Sequence, residues 1–292
     1  MTARLRLISS LAAAGLFAVS ASAGPLVYVT AVNYDTFTGE FGTMNPTTGA
    51  FNQIGPGMAD PLSGLVPGPN GTLLSISFSG NLDSINPVTG AVTVIGATGL
   101  GDLAYFIAAL NGTVYTTDLN SNLYTVNTTT GAVSLIGNTG IPPCPSLTNP
   151  DEVSDLSMFT YGGNLYETFD GINLVTMALV DAPELYQINT TTGVATAVDP
   201  TTFGLGAAAW ANGTLYAFDS AASNTVVSLN PANGNTAFIA NDNLNGFDVV
   251  GATATPEPGS LALACGGIAT IVLLRRRRDL NRRSCEEEQV RF

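Results

Sequence analysis

Histidine and lysine are absent from this chain of 292 residues, and its nine basic residues are all arginines confined to the two ends. Arg4 and Arg6 stand near the start, and the others lie from Arg275 onward. Between Gly24 and Pro258 the chain carries eighteen Asp and Glu and no cation. Such a body forms no internal salt bridge and offers no Ser-His-Asp or Cys-His arrangement, no zinc–histidine site and no phosphate clamp. It cannot neutralise the phosphates of a nucleic acid. It repels anionic membranes and anionic polysaccharides unless a metal ion bridges them, and the same charge keeps an exported protein soluble. Cysteine is nearly absent too. Cys144 is alone in the body, with Cys265 and Cys285 beyond it, so no disulfide staples the domain. Its stability rests on packing, for which a body of about 230 residues is large enough.

The two ends read as addresses, not as fold. Residues 1–23 have a basic start, an apolar run from Leu7 to Val19 and the small-x-small sequence Ala21-Ser22-Ala23. That pattern is a signal peptide cut between Ala23 and Gly24, which makes the protein exported. At the other end, residues 253–259 form a linker holding Pro256-Glu257-Pro258, and residues 260–274 form an apolar transmembrane segment. This run is shorter than the about 20 residues of a full span. Residues 275–292 make a basic tail that opens with Arg275, Arg276, Arg277 and Arg278. Positive charge stays on the cytoplasmic side, so the body is expected to face outward.

What fills residues 24–252 is a repeat. "MNPTTGAFNQIG", "SINPVTGAVTVIG", "TVNTTTGAVSLIG", "QINTTTGVATAVD" and "SLNPANGNTAFIA" share a glycine at Gly49, Gly90, Gly131, Gly193 and Gly234. The spacings are 41, 41, 62 and 41, so one unit carries 21 extra residues, expected as loops on either side of "GGNLY". A second turn precedes the first in "NGTLL", "NGTVY", "GGNLY" and "NGTLY". Asn-Gly between alternating apolar runs is a hairpin signal because both residues accept positive φ. Each unit reads as four short strands, the first apolar on both faces. Four strands in a period of about 40–45 residues define a β-propeller blade. The first unit begins at its second strand, "LVYVTAV", and "GFDVVGATA" at the end supplies the missing first one. The fold expected is all-β, a five-bladed β-propeller of four-stranded blades, closed by one blade shared between the N- and C-terminal strands. The competing arrangement, an open solenoid, predicts complete capped units at both ends.

Candidate chemistry is limited to carboxylates, Tyr, Ser/Thr, Asn and the lone Cys144, and no catalytic residue is assigned. Asp102, Asp155 and Asp248 each begin a first strand, and Asp118, Asp170 and Asp219 are expected to end a second strand on the same face of the ring. With no protein cation nearby, Asp102, Asp155 and Asp248 are candidate ligands for an oxygen-binding ion such as calcium. The other reading of the same aspartates is turn capping. Tyr28, Tyr115, Tyr166 and Tyr216 share one position and read as packing between blades or as a sugar-stacking platform, and Trp210, before a turn, is equally open. The Asn-x-Thr triplets match glycosylation acceptors but coincide with turns.

The segment "PEPGSLALACGGIATIVLLRRRR" resembles the PEP-CTERM sorting signal of Gram-negative bacteria: Pro256-Glu257-Pro258, then an apolar span, then arginines 275 to 278. The resemblance covers about 23 of the 292 residues. It implies processing by a membrane exosortase and delivery, through an inner-membrane-anchored intermediate, to the cell surface or an exopolysaccharide matrix. The tail "DLNRRSCEEEQVRF" is longer than such signals have. The expected function is a non-catalytic binding or structural module whose partner is an extracellular polysaccharide or a surface protein. The alternative is a carboxylate-dependent glycan hydrolase or lyase at the channel mouth.

Overall fold

Five four-stranded antiparallel sheets make up the body, and their inner strands meet in a ring. The computed structural model describes residues 24–101, 104–144, 152–173, 178–201, 204–219 and 224–255. The first blade joins the two ends of the body. Its inner strand is β20 (Asp248–Ala254), followed outward by β1 (Val27–Asn33), β2 (Thr38–Asn45) and β3 (Ala50–Gln53). The second blade runs from β4 (Leu62–Pro67) through β5 (Leu73–Ser77) and β6 (Asn81–Ile85) to β7 (Val92–Ala97). The third has β8 (Ala104–Leu110), β9 (Thr113–Asp118), β10 (Asn122–Val126) and β11 (Val133–Asn138). The fourth has β12 (Glu152–Tyr161), β13 (Asn164–Asn173), β14 (Ala178–Ile188) and β15 (Ala195–Pro200). The fifth has β16 (Leu205–Ala211), β17 (Thr214–Asp219), β18 (Thr225–Leu229) and β19 (Thr236–Asn241). The protein is a five-bladed β-propeller.

Closure is carried by backbone pairing. β1 pairs with β20 from Val27 opposite Ala254 to Val32 opposite Asp248. Just beyond, Thr255 donates to the Leu26 carbonyl from its amide at 3.2 Å and from its hydroxyl at 2.9 Å. The shared sheet removes two open edges, so the chain is a ring and not a solenoid. Strand β20 runs to Ala254, two residues past the boundary expected at 252.

Both repeated turns have the chemistry their residues imply. Asn111 and Gly112 sit at φ +50° and +81°, and Asn212 and Gly213 at +47° and +81°, the left-handed pair a two-residue hairpin needs. In the other turn the Asn side chain accepts a backbone N–H two residues on, at Asn45, Asn86, Asn127, Asn189 and Asn230. These are Asx turns. The turn glycine does a second job. A Cβ on Gly131 would strike the backbone of Gly96 in the preceding blade, and one on Gly193 would strike Gly137. Gly90 meets Ile54 in the same way, and Gly49 meets Asn241 across the closure. Each of these turns therefore lies against the outer strand of the blade before it, which is why the chain repeats this glycine.

Between blades the core is apolar. Val27, Val29, Phe218 and Val226 pack between the fifth and first blades, and Phe159, Tyr166, Leu215 and Val227 between the fourth and fifth. Tyr28 stacks on Phe41 and Tyr166 on Phe159, and Tyr115 and Tyr216 are buried. The recurring tyrosines are packing residues.

The insertion differs from expectation. Residues "FDGINLVTMALVDAPE" were expected as a loop, but they lengthen β13 and β14 to 10 and 11 residues. Bulges at Phe169/Gly171 and Gly171/Ile172 accommodate the change of register. Consequently Asp170 lies inside β13, not at its end, opposite Asp155. Of the other part of the insertion, "GIPPCPSLTNPDEV" (residues 140–153), residues 145–151 lie outside the described residues, as do residues 1–23 and everything from Pro256. The signal peptide and the sorting residues Pro256, Glu257, Pro258 and Arg275 to Arg278 therefore lie outside them, and the cleavage site between Ala23 and Gly24 falls at their edge. Among the described residues no helix is long and apolar enough to cross a membrane.

Candidate functional site

The inner strands all run in one direction, which gives the ring two unlike faces. One gathers the starts of the inner strands and the ends of the second strands. The other gathers the Asn-Gly hairpins and the two ends of the described body, Leu26 and Thr255.

On the first face the carboxylates differ in burial: Asp118 is buried, Asp248 half-buried and Asp60 exposed. Asp118 accepts the amides of Asn120 and Asn122 at 3.0 and 2.8 Å on Oδ1, and Asn122 Nδ2 and Tyr124 Oη at 3.0 and 2.9 Å on Oδ2. Its four bonds close a turn, so this aspartate is a cap. Asp170 and Asp219 are likewise buried. Of the three candidate calcium ligands, Asp248 opens β20, Asp155 lies within β12, and Asp102 falls outside the described residues. Among the described residues no group of three Asp, Glu or Cys is placed to hold a metal ion.

Sequence reasoning passed over Glu167. It sits in β13 where the matching positions of the other second strands hold Ser75, Thr116 and Ala217. It is 3% exposed and reaches the neighbouring blade, where Thr117 Oγ1 donates to its Oε1 at 3.2 Å. Oε2 has no hydrogen-bond partner. Burial pushes its pKa up to about 8, the Thr117 bond works against that rise, and Asp118 adds to it. Asp83, also buried, is raised to about 6, by desolvation first, with a bond from Ser77 lowering it and Asp60 raising it. Neither group lines the axial cavity or the basin on the second face.

The axis between the faces is closed. Gly64, Phe106, Ser157, Gly206 and Gly251 bring the five inner strands together around a cavity of about 10 Å³. That is about the least space that holds one water molecule. A Cβ on Gly64 would come within 2.6 Å of the Ile107 amide nitrogen and one on Gly251 within 2.7 Å of the Gly64 backbone, so these two glycines are required by the close approach itself.

The second face carries a basin of about 570 Å³, within the ~300–1,000 Å³ typical of small-molecule sites. Ala109, Asn111, Thr160, Tyr161 and Trp210 line it, with the Gly162–Gly163 turn. Trp210 is 45% exposed, whereas Ala209 and Ala211 on either side are buried. Its ring meets Tyr161 at 5.1 Å between centroids and 59° between planes. Strand pairing shows how the basin forms. Trp210 lies opposite Leu215, Ala109 opposite Val114, and Thr160 opposite Leu165, so the three occupy one repeat position. Small side chains in two blades leave the space that the indole of the third borders. The indication in the sequence was a break in the repeat: Trp210 and Tyr161 replace small or aliphatic residues two places and one place before a turn.

Comparison with family models and with curated proteins finds no match. Among solved structures, a catalytically inactive virginiamycin B lyase from Staphylococcus aureus, crystallised with quinupristin, is 14% identical over 75% of this chain and 71% of its own, with a TM-score of 0.40. Glutaminyl cyclase from Myxococcus xanthus is 17% identical over 70% and 74%, with a TM-score of 0.34. A protein of unknown function from Bacteroides caccae is 11% identical over 80% and 100%, with a TM-score of 0.41. Similarity at this level carries nothing about function.

Proposed function

We propose that this chain is an exported, non-catalytic binding propeller, carried by a PEP-CTERM-like segment and an exosortase to the cell surface or to an exopolysaccharide matrix. The observation that supports it is a separation of space from chemistry. Among the described residues no carboxylate lines the roomy basin, and the one ionisable side chain there is the Tyr161 phenol. The buried carboxylates Asp83, Asp118, Glu167, Asp170 and Asp219 are not among the residues that line it. A cavity bordered by aromatic rings, an amide and a hydroxyl can hold a ligand, but it lacks the acid–base pair that bond cleavage needs.

A hydrolase or lyase remains as a second reading because of one feature. Burial raises the Glu167 pKa to about 8, with Asp118 adding to the rise, so it holds a proton near neutral pH as a general acid would. Full-length protein incubated with a panel of soluble polysaccharides distinguishes the two. Co-sedimentation or retardation by a polysaccharide without release of reducing ends or unsaturated products is the expected result. Product release that disappears in Glu167→Gln would replace the binding role with catalysis.

A further inference from the structure

We infer that the Tyr161–Trp210 basin is a stacking subsite for an uncharged sugar ring, an assignment that rests on the binding role proposed above. Three independent features point to this chemistry. The first is the cost of the tryptophan. An indole left 45% exposed keeps apolar surface in water, although the same position is occupied by Ala109 and Thr160 in two other blades. Its ring neighbour is Tyr161, and both rings border open space.

The second feature is the pairing of surfaces. A hexopyranose has a face of C–H bonds and an edge of hydroxyls. The two tilted rings offer an apolar wall for the face, while Asn111 and Thr160 offer an amide and a hydroxyl for the edge. Asn111, at φ +50°, is held in its hairpin, so the polar part of the wall is set before ligand arrives. The third is charge. No charged residue lines the basin, and the body around it has no cation between Gly24 and Pro258. A uronate or sulfated sugar would meet only negative potential. A neutral sugar meets none of that penalty.

Trp210 is the single tryptophan of the chain, so its fluorescence reports this basin alone. The test titrates full-length protein with cellohexaose, maltohexaose, laminarihexaose and mannohexaose, with an alginate oligosaccharide as the anionic control. At least one neutral hexasaccharide should shift or quench the emission saturably, and alginate should not. Tyr161→Ala, which removes the second ring and leaves the reporter, should weaken that binding at least tenfold. Asn111→Gly keeps the turn conformation and should weaken it several-fold. Flat titrations with all four neutral probes, or a Tyr161→Ala variant that binds as the wild type does, would overturn the subsite. Polysaccharide retention that survives in Trp210→Ala would also overturn it while leaving the binding role intact. Loss of retention by every form of the protein would instead remove the binding role itself.

Discussion

Glu167 is a carboxyl group placed where the fold has no cation to offer it, and its protonation is therefore coupled to stability. Its folded pKa of about 8 lies above the ordinary value of 4.5, so the folded state holds a proton that the unfolded state has released between those values. Stability from this group is complete below about pH 4.5 and is lost as pH rises toward 8. Asp118 in the third blade and Tyr186 in β14 are the ionisable groups that act on it electrostatically. Glu167→Gln removes the ionisation and keeps an acceptor for Thr117. Thermal melts at pH 4.5 and 8.5 should show little difference between variant and wild type at the lower pH. At the higher pH the variant should be favoured by about 1–3 kcal/mol. An equal effect at both values would mean that Glu167 is not protonated in the folded protein. Nothing in the period of the sequence marked this residue. "YETF" places a Glu in a buried strand, and only the interblade contact with Thr117 gives it a neighbour.

Two glycines separate the roles of the repeated turns at the scale of elements. Gly131 and Gly112 both sit at φ +81°, but a Cβ on Gly131 would strike Gly96 of the second blade, whereas one on Gly112 would meet nothing within 4 Å. Gly112→Ala should therefore cost only the left-handed backbone, about 1–2 kcal/mol. Gly131→Ala must also push two blades apart, and denaturant melts should place it at least about 1 kcal/mol below Gly112→Ala. Equal losses would show that the turn does not clamp the neighbouring blade. This contrast also explains what the sequence could convey. Asn-Gly pairs, Asx turns and a fixed spacing are local devices, so the five blades and the shared sheet were legible from letters alone. The lengthened β13–β14 hairpin was not, because "DGINLVTMALVDAPE" has no period-2 alternation and its register depends on bulges. Asp118 was legible as either a ligand or a cap, and its four hydrogen bonds come from residues within six positions of it. The basin was legible only as a break in the repeat, since its walls come from three blades.

For the molecule as a whole, the ring determines where its own address begins. Thr255 is tied to Leu26 on the face that carries the Asn-Gly hairpins and the aromatic basin. The five steps from Thr255 to Ser260 reach at most about 18 Å, so the anchored intermediate of the proposed sorting route would hold the basin face toward the membrane. Cutting the chain after the ring would release that face to meet a matrix polysaccharide. The account therefore depends on the propeller being delivered as a free, closed unit, and the mature C-terminus tests this most directly. Mass spectrometry of the protein recovered from the surface or matrix fraction should find a chain that starts at Gly24 and lacks Arg275 to Arg278. Replacing Pro256, Glu257 and Pro258 with alanine should leave the start at Gly24 and retain the arginines, with the protein held in the inner membrane. A wild-type surface form that still carries Arg275 to Arg278 would contradict the account.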